Sequence, residues 1–325
     1  MSDRPTVAVL GPGRIGRQIA LAFALGGCPV RLVDVKDGRP AAEAERTLAD
    51  ARREILRDVG LMVEEQVIDR AESAAVLARI EDRVGLDALK GCGFVQEALP
   101  ESVPLKRAAL ARLTGVLDAD AIVASGSSTI SPSDVCEAVD RPERFLVAHW
   151  LNPAHIIPLV DVVPSARTSP ETVERTLGLL ERVGKTPVRC GDSPGFIGPR
   201  LQVLLMNEAV RLVEEGVATP EDVDRAFRAG MGFRYASIGI FEFIDWGGVD
   251  ILYRASRYMT EAVGDDRFKP ARLVEQKMAY NELGPKTGRG FFDYAGERRH
   301  TFETQKIRAL LRQLKRERDH AGEQA

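Results

Sequence analysis

A chain of 325 residues exceeds the usual size of one domain, so two are expected. Hydrophobic residues make up 44% and charged residues 29%, with a formal charge of −3, which is ordinary for a globular protein and argues against a nucleic-acid or acidic-membrane surface. No apolar run approaches the ~20 residues of a transmembrane helix.

The opening Met1-Ser-Asp-Arg-Pro-Thr6 passes straight into an apolar strand, leaving no room for a signal peptide. Strands are expected at Val7–Leu10, Val30–Val33, Phe94–Val95, Ala121–Ala124, Phe145–Ala148, Leu159–Val163 and Pro187–Cys190. Between the second and third, residues 41–81 are rich in Ala, Glu, Arg and Leu, too long a stretch for one crossover helix; a helical hairpin inserted into the domain is expected. Ser169-Pro170-Glu171 starts a helix that places Val173, Leu177 and Leu180 on one face and closes at Gly184. After Cys190 the strand signals fade. Leu201–Glu215 reads as a densely apolar helix and Thr219-Pro220 as the start of another, with helices and glycine breaks continuing to residue 325. The expected architecture is an α/β Rossmann domain over 1–190 with an inserted helical hairpin, then an all-helical C-terminal domain over 191–325. The basic stretch Glu303–His320 reads as a solvated terminal helix in preference to a recognition surface. Cys28, Cys92, Cys136 and Cys190 lie far apart with no C-x-x-C pair, which suits thiols in a reducing cytoplasm and neither a disulfide frame nor a metal site.

Gly11-Pro-Gly13-Arg14-Ile15-Gly16 follows the first strand and opens a helix. Gly11 makes the tight turn, Gly13 lets backbone approach a pyrophosphate, and Gly16 allows close helix–strand packing. The helix N-terminus offers free N–H groups and the positive end of its dipole to that anion. Asp34 ends the second strand, 23 residues after Gly11, where a carboxylate accepts hydrogen bonds from ribose hydroxyls and repels a 2′-phosphate. NAD is therefore the expected cofactor, although Arg31 and Lys36 keep NADP open.

Of the four histidines, His149, His155, His300 and His320, the first closes a strand, and ligands of open α/β sheets bind beyond the carboxyl ends of strands. Asp161 follows twelve residues later in the next strand. Adjacent strands can bring the two together, and a carboxylate on one ring nitrogen fixes the tautomer while the other nitrogen takes a proton. That pair in a dinucleotide fold outweighs a merely structural histidine.

The chain resembles the 3-hydroxyacyl-CoA dehydrogenase family nearly end to end. The motifs are the glycine loop, Val95-Gln-Glu-Ala-Leu-Pro-Glu101, Ser125-Gly-Ser-Ser-Thr129, His149-Trp-Leu-Asn-Pro153, Asp192-Ser-Pro-Gly-Phe-Ile197 and Lys286-Thr-Gly-Arg-Gly-Phe-Phe-Asp-Tyr294. The resemblance implies His149 as general base, oriented by Asp161 where the family carries a glutamate. It implies Ser127 on the substrate hydroxyl, Glu101 and Lys106 on the nicotinamide ribose, and Asn152 supporting its loop. One departure is Pro199, where the family carries an asparagine that touches the histidine or the substrate carbonyl.

The leading expectation is an NAD-dependent, short-chain dehydrogenase of the 3-hydroxybutyryl-CoA type. Arg46, Arg52, Arg53 and Arg57 in the hairpin are possible partners of CoA phosphates, or simply a solvated face. The alternative is a dehydrogenase of a free 3-hydroxy acid, L-gulonate 3-dehydrogenase-like, in which Arg234 pairs with a substrate carboxylate or else makes a protein ion pair. His155 is read as structural or exposed more readily than as a pocket group. Phe241–Gly248 reads first as packing or dimer contact. A non-catalytic NAD-binding protein is the remaining reading. The resemblance implies a cytoplasmic homodimer joined through the helical domain, with a small-molecule substrate and no nucleic-acid, membrane or metal partner.

Overall fold

The computed structural model describes residues 4–323, and side chains as far as residue 319; the side chain of His320 lies outside the described residues. The chain divides into two compact units, residues 1–206 and 207–325. The division falls inside one helix, sixteen residues beyond the boundary suggested by the fading strand pattern.

The first unit is built on an eight-stranded sheet with spatial order β3-β2-β1-β4-β5-β6-β7-β8. Its strands are β1 (Val7–Leu10), β2 (Val30–Asp34), β3 (Ile80–Val84), β4 (Phe94–Glu97), β5 (Ile122–Ser125), β6 (Phe145–Trp150), β7 (Leu159–Pro164) and β8 (Thr186–Arg189). The first six pair in parallel; β7 runs antiparallel to β6, and β8 is parallel to β7. Alternation along β1 sends Val7 and Val9 to one apolar cluster and Ala8 and Leu10 to the other, so both sheet faces are buried. On the first face lie α1 (Arg14–Leu25), the hairpin α2 (Ala41–Glu64) and α3 (Arg70–Ala78). The other face receives α4 (Val103–Ala111) and the short α5 (Pro132–Val135), while α6 (Pro170–Arg182) returns to the first. Phe23 of α1 anchors this packing, its ring 5.3 Å from Trp150 and 5.8 Å from Phe94. Replacing such a core aromatic by alanine costs about 3–5 kcal/mol.

The sequence pattern missed β3. Its residues Ile-Glu-Asp-Arg-Val leave only Ile80 buried, because it is the edge strand and carries charge where an inner strand carries Val or Ile. The parallel registers align Leu10, Glu97, Ser125 and Val147 at one edge of the sheet. The loops and strand ends beyond these four residues carry the chemistry described below.

The helix α7 (Gly198–Glu214) crosses the division between the units. Beyond it lie α8 (Pro220–Ala226), α9 (Phe233–Tyr235), α10 (Ile240–Gly247), α11 (Val249–Val263), α12 (Arg272–Ala279) and α13 (Glu297–Glu323). Thr219 caps α8 as expected, its side chain accepting from the Asp222 amide. Buried Asp245 of α10 organises the second unit: its carboxylate accepts the amides of Phe291 (2.9 Å) and Phe292 (3.0 Å) and the Tyr294 hydroxyl (2.9 Å). The Lys286–Tyr294 motif is thus folded around one carboxylate. The basic terminal stretch is part of α13, seated by buried Phe302 against Tyr294 (4.9 Å) and by Lys306 on Glu242 (2.5 Å).

Candidate active site

The glycine loop is shaped by close approaches. Gly11 has φ +101°, its amide donates to Val33 O at 2.9 Å, and an added Cβ would lie 2.9 Å from Ala98 O. A Cβ on Gly16 would stand 1.9 Å from Gly11 O, so only glycine lets α1 pack here. Gly13 differs: a Cβ there would meet nothing within 4 Å. It is the N-cap of α1 and brings no side-chain cap, which leaves the first-turn amides, with exposed Arg14 and half-buried Ile15, facing an open space suited to a pyrophosphate. Asp34, buried at the end of β2, accepts the Lys36 amide at 3.1 Å and pairs with Arg39. These features fit an NAD dinucleotide: an open anion cradle after β1 and, at the end of the neighbouring strand β2 on the same edge, a carboxylate for ribose. Arg31, expected as a possible phosphate ligand, donates instead to the carbonyls of Ala88 (2.8 Å) and Lys90 (2.7 Å).

His149 and Asp161 are directly opposite in the antiparallel β6–β7 ladder, and His149 Nδ1 lies 3.1 Å from Asp161 Oδ2. Both are buried. The ladder register thus brings the shorter carboxylate into direct contact with the ring. The amide of Gly198, at the start of α7, donates to the same Oδ2 at 3.4 Å, while the buried Oδ1 has no partner. Phe196 packs its ring 6.0 Å from that of His149 and holds φ +47°, a left-handed conformation that a bulky residue adopts only when its surroundings impose it. Cys190 stands near enough to feel Asp161; burial first, then that negative charge, push its thiol up to about 11, so it is inert as a nucleophile.

Ser127 is two residues past the end of β5, as His149 is two past Val147 on neighbouring β6, so the two reach the same edge. Its hydroxyl donates to Glu101 Oε1 at 2.6 Å and accepts the Ile130 amide at 2.9 Å. The same Glu101 oxygen receives the amides of Ser128 (3.0 Å) and Thr129 (2.9 Å) and the Thr129 hydroxyl (3.0 Å). Burial would raise this carboxyl, but the Ser127, Thr129 and Lys106 interactions outweigh it and hold it below its ordinary value. Lys106 is fully buried, and its ammonium lies 2.8 and 2.9 Å from the two oxygens of Glu97 and 3.5 Å from Glu101. Glu97, a residue sequence reasoning did not single out, also accepts from Ser125 Oγ (2.5 Å) and the Leu99 amide (2.6 Å). Lys106 is thus the buried centre of an ionic cluster that sets the β4 and β5 loops, with Glu97 inside it and exposed Glu101 at its rim, where the expected ribose contact would fall. Removing one partner of such a pair costs about 3–5 kcal/mol, because the other charge stays buried.

The loop after His149 is held from three sides. Trp150 Nε1 donates to Gln96 (3.1 Å), Gln18 accepts the Ala154 amide (3.0 Å), and buried Lys185 donates to the carbonyls of Ala154 (2.8 Å) and Ile157 (3.0 Å). Asn152 is exposed, and its bond to Pro153 is cis. His155 is half-buried, and burial holds it below its ordinary range despite Asp58 nearby. In the hairpin, Arg52 is occupied by Asp82 (3.0 Å) and Ile80 O (2.8 Å), while Arg53 and Arg57 pair with Asp50 and Glu54 on their own helix. Arg234 belongs to the other compact unit, where its guanidinium stacks 4.0 Å from the Phe243 ring.

A Rossmann sheet with a glycine cradle, a ribose carboxylate and a histidine–aspartate pair at one edge defines a nicotinamide-dependent oxidoreductase. The chain belongs to the 3-hydroxyacyl-CoA dehydrogenase family: residues 6–193 match its NAD binding domain and residues 195–294 its C-terminal domain. Members are NAD-dependent oxidoreductases acting on CH–OH groups, which sets aside the non-catalytic reading. The chain is 33% identical over 308 residues to the 5-formyl-3-hydroxy-2-methylpyridine 4-carboxylate 5-dehydrogenase of Mesorhizobium japonicum, covering 94% of this chain and 96% of that one. It is 32% identical over 290 residues to the 3-hydroxybutyryl-CoA dehydrogenase of Bradyrhizobium diazoefficiens, covering 89% and 95%. The crystal structure of a 3-hydroxyacyl-CoA dehydrogenase from Archaeoglobus fulgidus superposes with a TM-score of 0.75 at 32% identity, covering 96% of this chain and 99% of that one. Among the described residues no helix is long and apolar enough to cross a membrane.

Proposed function

We propose that this chain oxidises the 3-hydroxyl of a short-chain 3-hydroxyacyl-CoA, of the 3-hydroxybutyryl-CoA type, to a 3-oxo group. The observation that carries this reading is the buried His149–Asp161 pair at the cofactor edge of the sheet. NAD, when bound, would supply the hydride acceptor for C3. Gly11, Gly13, Arg14, Ile15 and Gly16 hold the pyrophosphate side of the cofactor and Asp34 its adenosine ribose. His149 keeps Nδ1–H on Asp161, leaving Nε2 to take the proton from the substrate hydroxyl as C3 is oxidised. Asp161 stabilises the imidazolium so formed. Ser127 has one proton to give, and Glu101 holds it; to bind the product carbonyl the hydroxyl must turn from Glu101 to the substrate, while the Ile130 amide keeps its oxygen in place. Asn152 supports the loop; Arg234 would be a substrate-binding residue in the free-acid reading, through a substrate carboxylate.

A second reading, a dehydrogenase of a free 3-hydroxy acid, is favoured by the occupied hairpin arginines and by the pyridine-carboxylate relative. NADH formation with (S)-3-hydroxybutyryl-CoA, 3-hydroxybutyrate and L-gulonate separates the two. Turnover of the thioester, reduced about 10²–10⁴-fold in His149→Ala, is expected; turnover of free acids alone assigns the second reading.

The 1–190 NAD domain and the 191–325 helical domain would then act in a homodimer. Supporting this, α7 buries none of its residues and exposes Val203, Leu204, Met206 and Val210 on a densely apolar helix. Light scattering at twice the 35.6 kDa chain mass is the expected result. Four free cysteines, three of them buried, suit the cytoplasm proposed for it.

A further inference from the structure

Arg39 stands where the adenosine ribose is to be recognised. Its Nη1 pairs with Asp34 and lies 3.3 Å from Thr47 Oγ1, and its Nε lies 3.2 Å from Glu43 Oε1. The guanidinium is therefore fixed by the first two turns of α2 against the carboxylate that closes β2. We propose that Arg39 sets how strictly this chain discriminates NAD from NADP, by offsetting the charge of Asp34 and offering its own donors to a 2′-phosphate.

A carboxylate at the end of β2 rejects NADP in two ways. It repels the phosphate and presents no hydrogen to it. Arg39 weakens both. Its positive charge cancels the field of Asp34 at short range, and its planar fork matches a phosphate bidentately. When the carboxylate is removed, Glu43 at 3.2 Å and Thr47 at 3.3 Å remain beside the guanidinium. Exposed Lys36 lies two residues past Asp34 and adds a second positive charge at the same edge, whereas Arg31 is withdrawn onto backbone carbonyls. Asp34 wins the ribose for NAD; Arg39 limits the margin.

The inference rests on dinucleotide binding alone and is independent of the substrate. It is tested by equilibrium binding of NADH and NADPH, read by nucleotide fluorescence, to the full chain and to Arg39→Gln, Asp34→Ser and the double variant, with thermal unfolding as the folding control. Loss of a charge-assisted bond gives about tenfold or more. Arg39→Gln should raise the Kd for NADPH by that factor and the Kd for NADH by less than about threefold. Asp34→Ser should tighten NADPH binding about tenfold, and adding Arg39→Gln should abolish that gain. Equal weakening of both nucleotides by Arg39→Gln would reduce Arg39 to a loop brace and overturn the proposal. So would an NADPH gain in Asp34→Ser that survives in the double variant.

Discussion

Replacing Asp161 by Asn removes one charge and almost no volume. At 3.1 Å and an effective dielectric of about 20, a full ion pair between this carboxylate and a protonated His149 is worth about 5 kcal/mol. That is the ceiling of the effect. Two donors converge on Oδ2, the His149 ring N–H and the Gly198 amide, so the Asn oxygen is selected for that position and its NH₂ is driven to the Oδ1 side. The ring then keeps the tautomer that leaves Nε2 free. What is lost is the charge assistance of one hydrogen bond, about 1.5–3 kcal/mol, or roughly 10- to 150-fold in kcat. The displaced NH₂ enters the buried position where Oδ1 now has no hydrogen-bond partner, so a small change of thermal stability accompanies it. The assay is NADH formation under saturating substrate, with NADH affinity measured separately and expected to be unchanged. A kcat within about threefold of the parent would refute the role given to the carboxylate.

Gly13→Val should lower NADH affinity at least tenfold with only the modest fall in melting temperature that a poorer N-cap brings, because the space beside Gly13 is empty of protein; equal NADH binding would show that the cradle lies elsewhere. Gly198→Ala puts a Cβ 3.0 Å from Asp161 Oδ2, forcing the carboxylate or α7 to move by tenths of an ångström, and should lower kcat without changing NADH binding; steady-state kinetics beside NADH titration check both. Burial lowers Lys185 from 10.5 to about 8, so between those values the unfolded chain binds more protons than the folded one, and stability should rise with pH across that window by up to about 3 kcal/mol. The carbonyls that accept from the ammonium keep the gain below that ceiling. Denaturant unfolding at pH 7.5 and pH 10 should show the rise in the parent and its absence in Lys185→Met.

Much of the first unit was legible because strands buried on both faces read as near-continuous apolar runs, as β1, β5 and β6 do, and as β2 and β7 do with Arg31 and Asp161 as interruptions. Helix starts were legible where a side chain caps them, as Ser169 and Thr219 do. The strand β3 was not, since an edge strand needs little apolar content. Within the site, the His149–Asp161 pair could be anticipated because two strands joined by a short loop must pair antiparallel, and twelve residues of separation sets them opposite. The Glu97–Lys106–Ser125 cluster could not. Its members come from β4, α4 and β5, and no spacing in the chain shows that a lysine will be turned inward beneath a loop. Arg39 was equally hidden, because its significance lies in facing Asp34 across a turn of five residues.

The two departures from the pattern that the resemblance implies, Asp161 for a glutamate and Pro199 for an asparagine, are linked through Gly198. Pro199 lies in the first turn of α7, a place where its missing N–H costs no helical bond. The residue before it, Gly198, carries no side chain and brings its amide to 3.4 Å from Asp161 Oδ2. A Cβ at 198 would stand 3.0 Å from that oxygen, so a larger residue there would displace the carboxylate. The position of the acid therefore depends on the bare helix turn. The main chain of α7 helps fix the partner of His149, and the first turn of α7 is thereby part of what holds the imidazole in position.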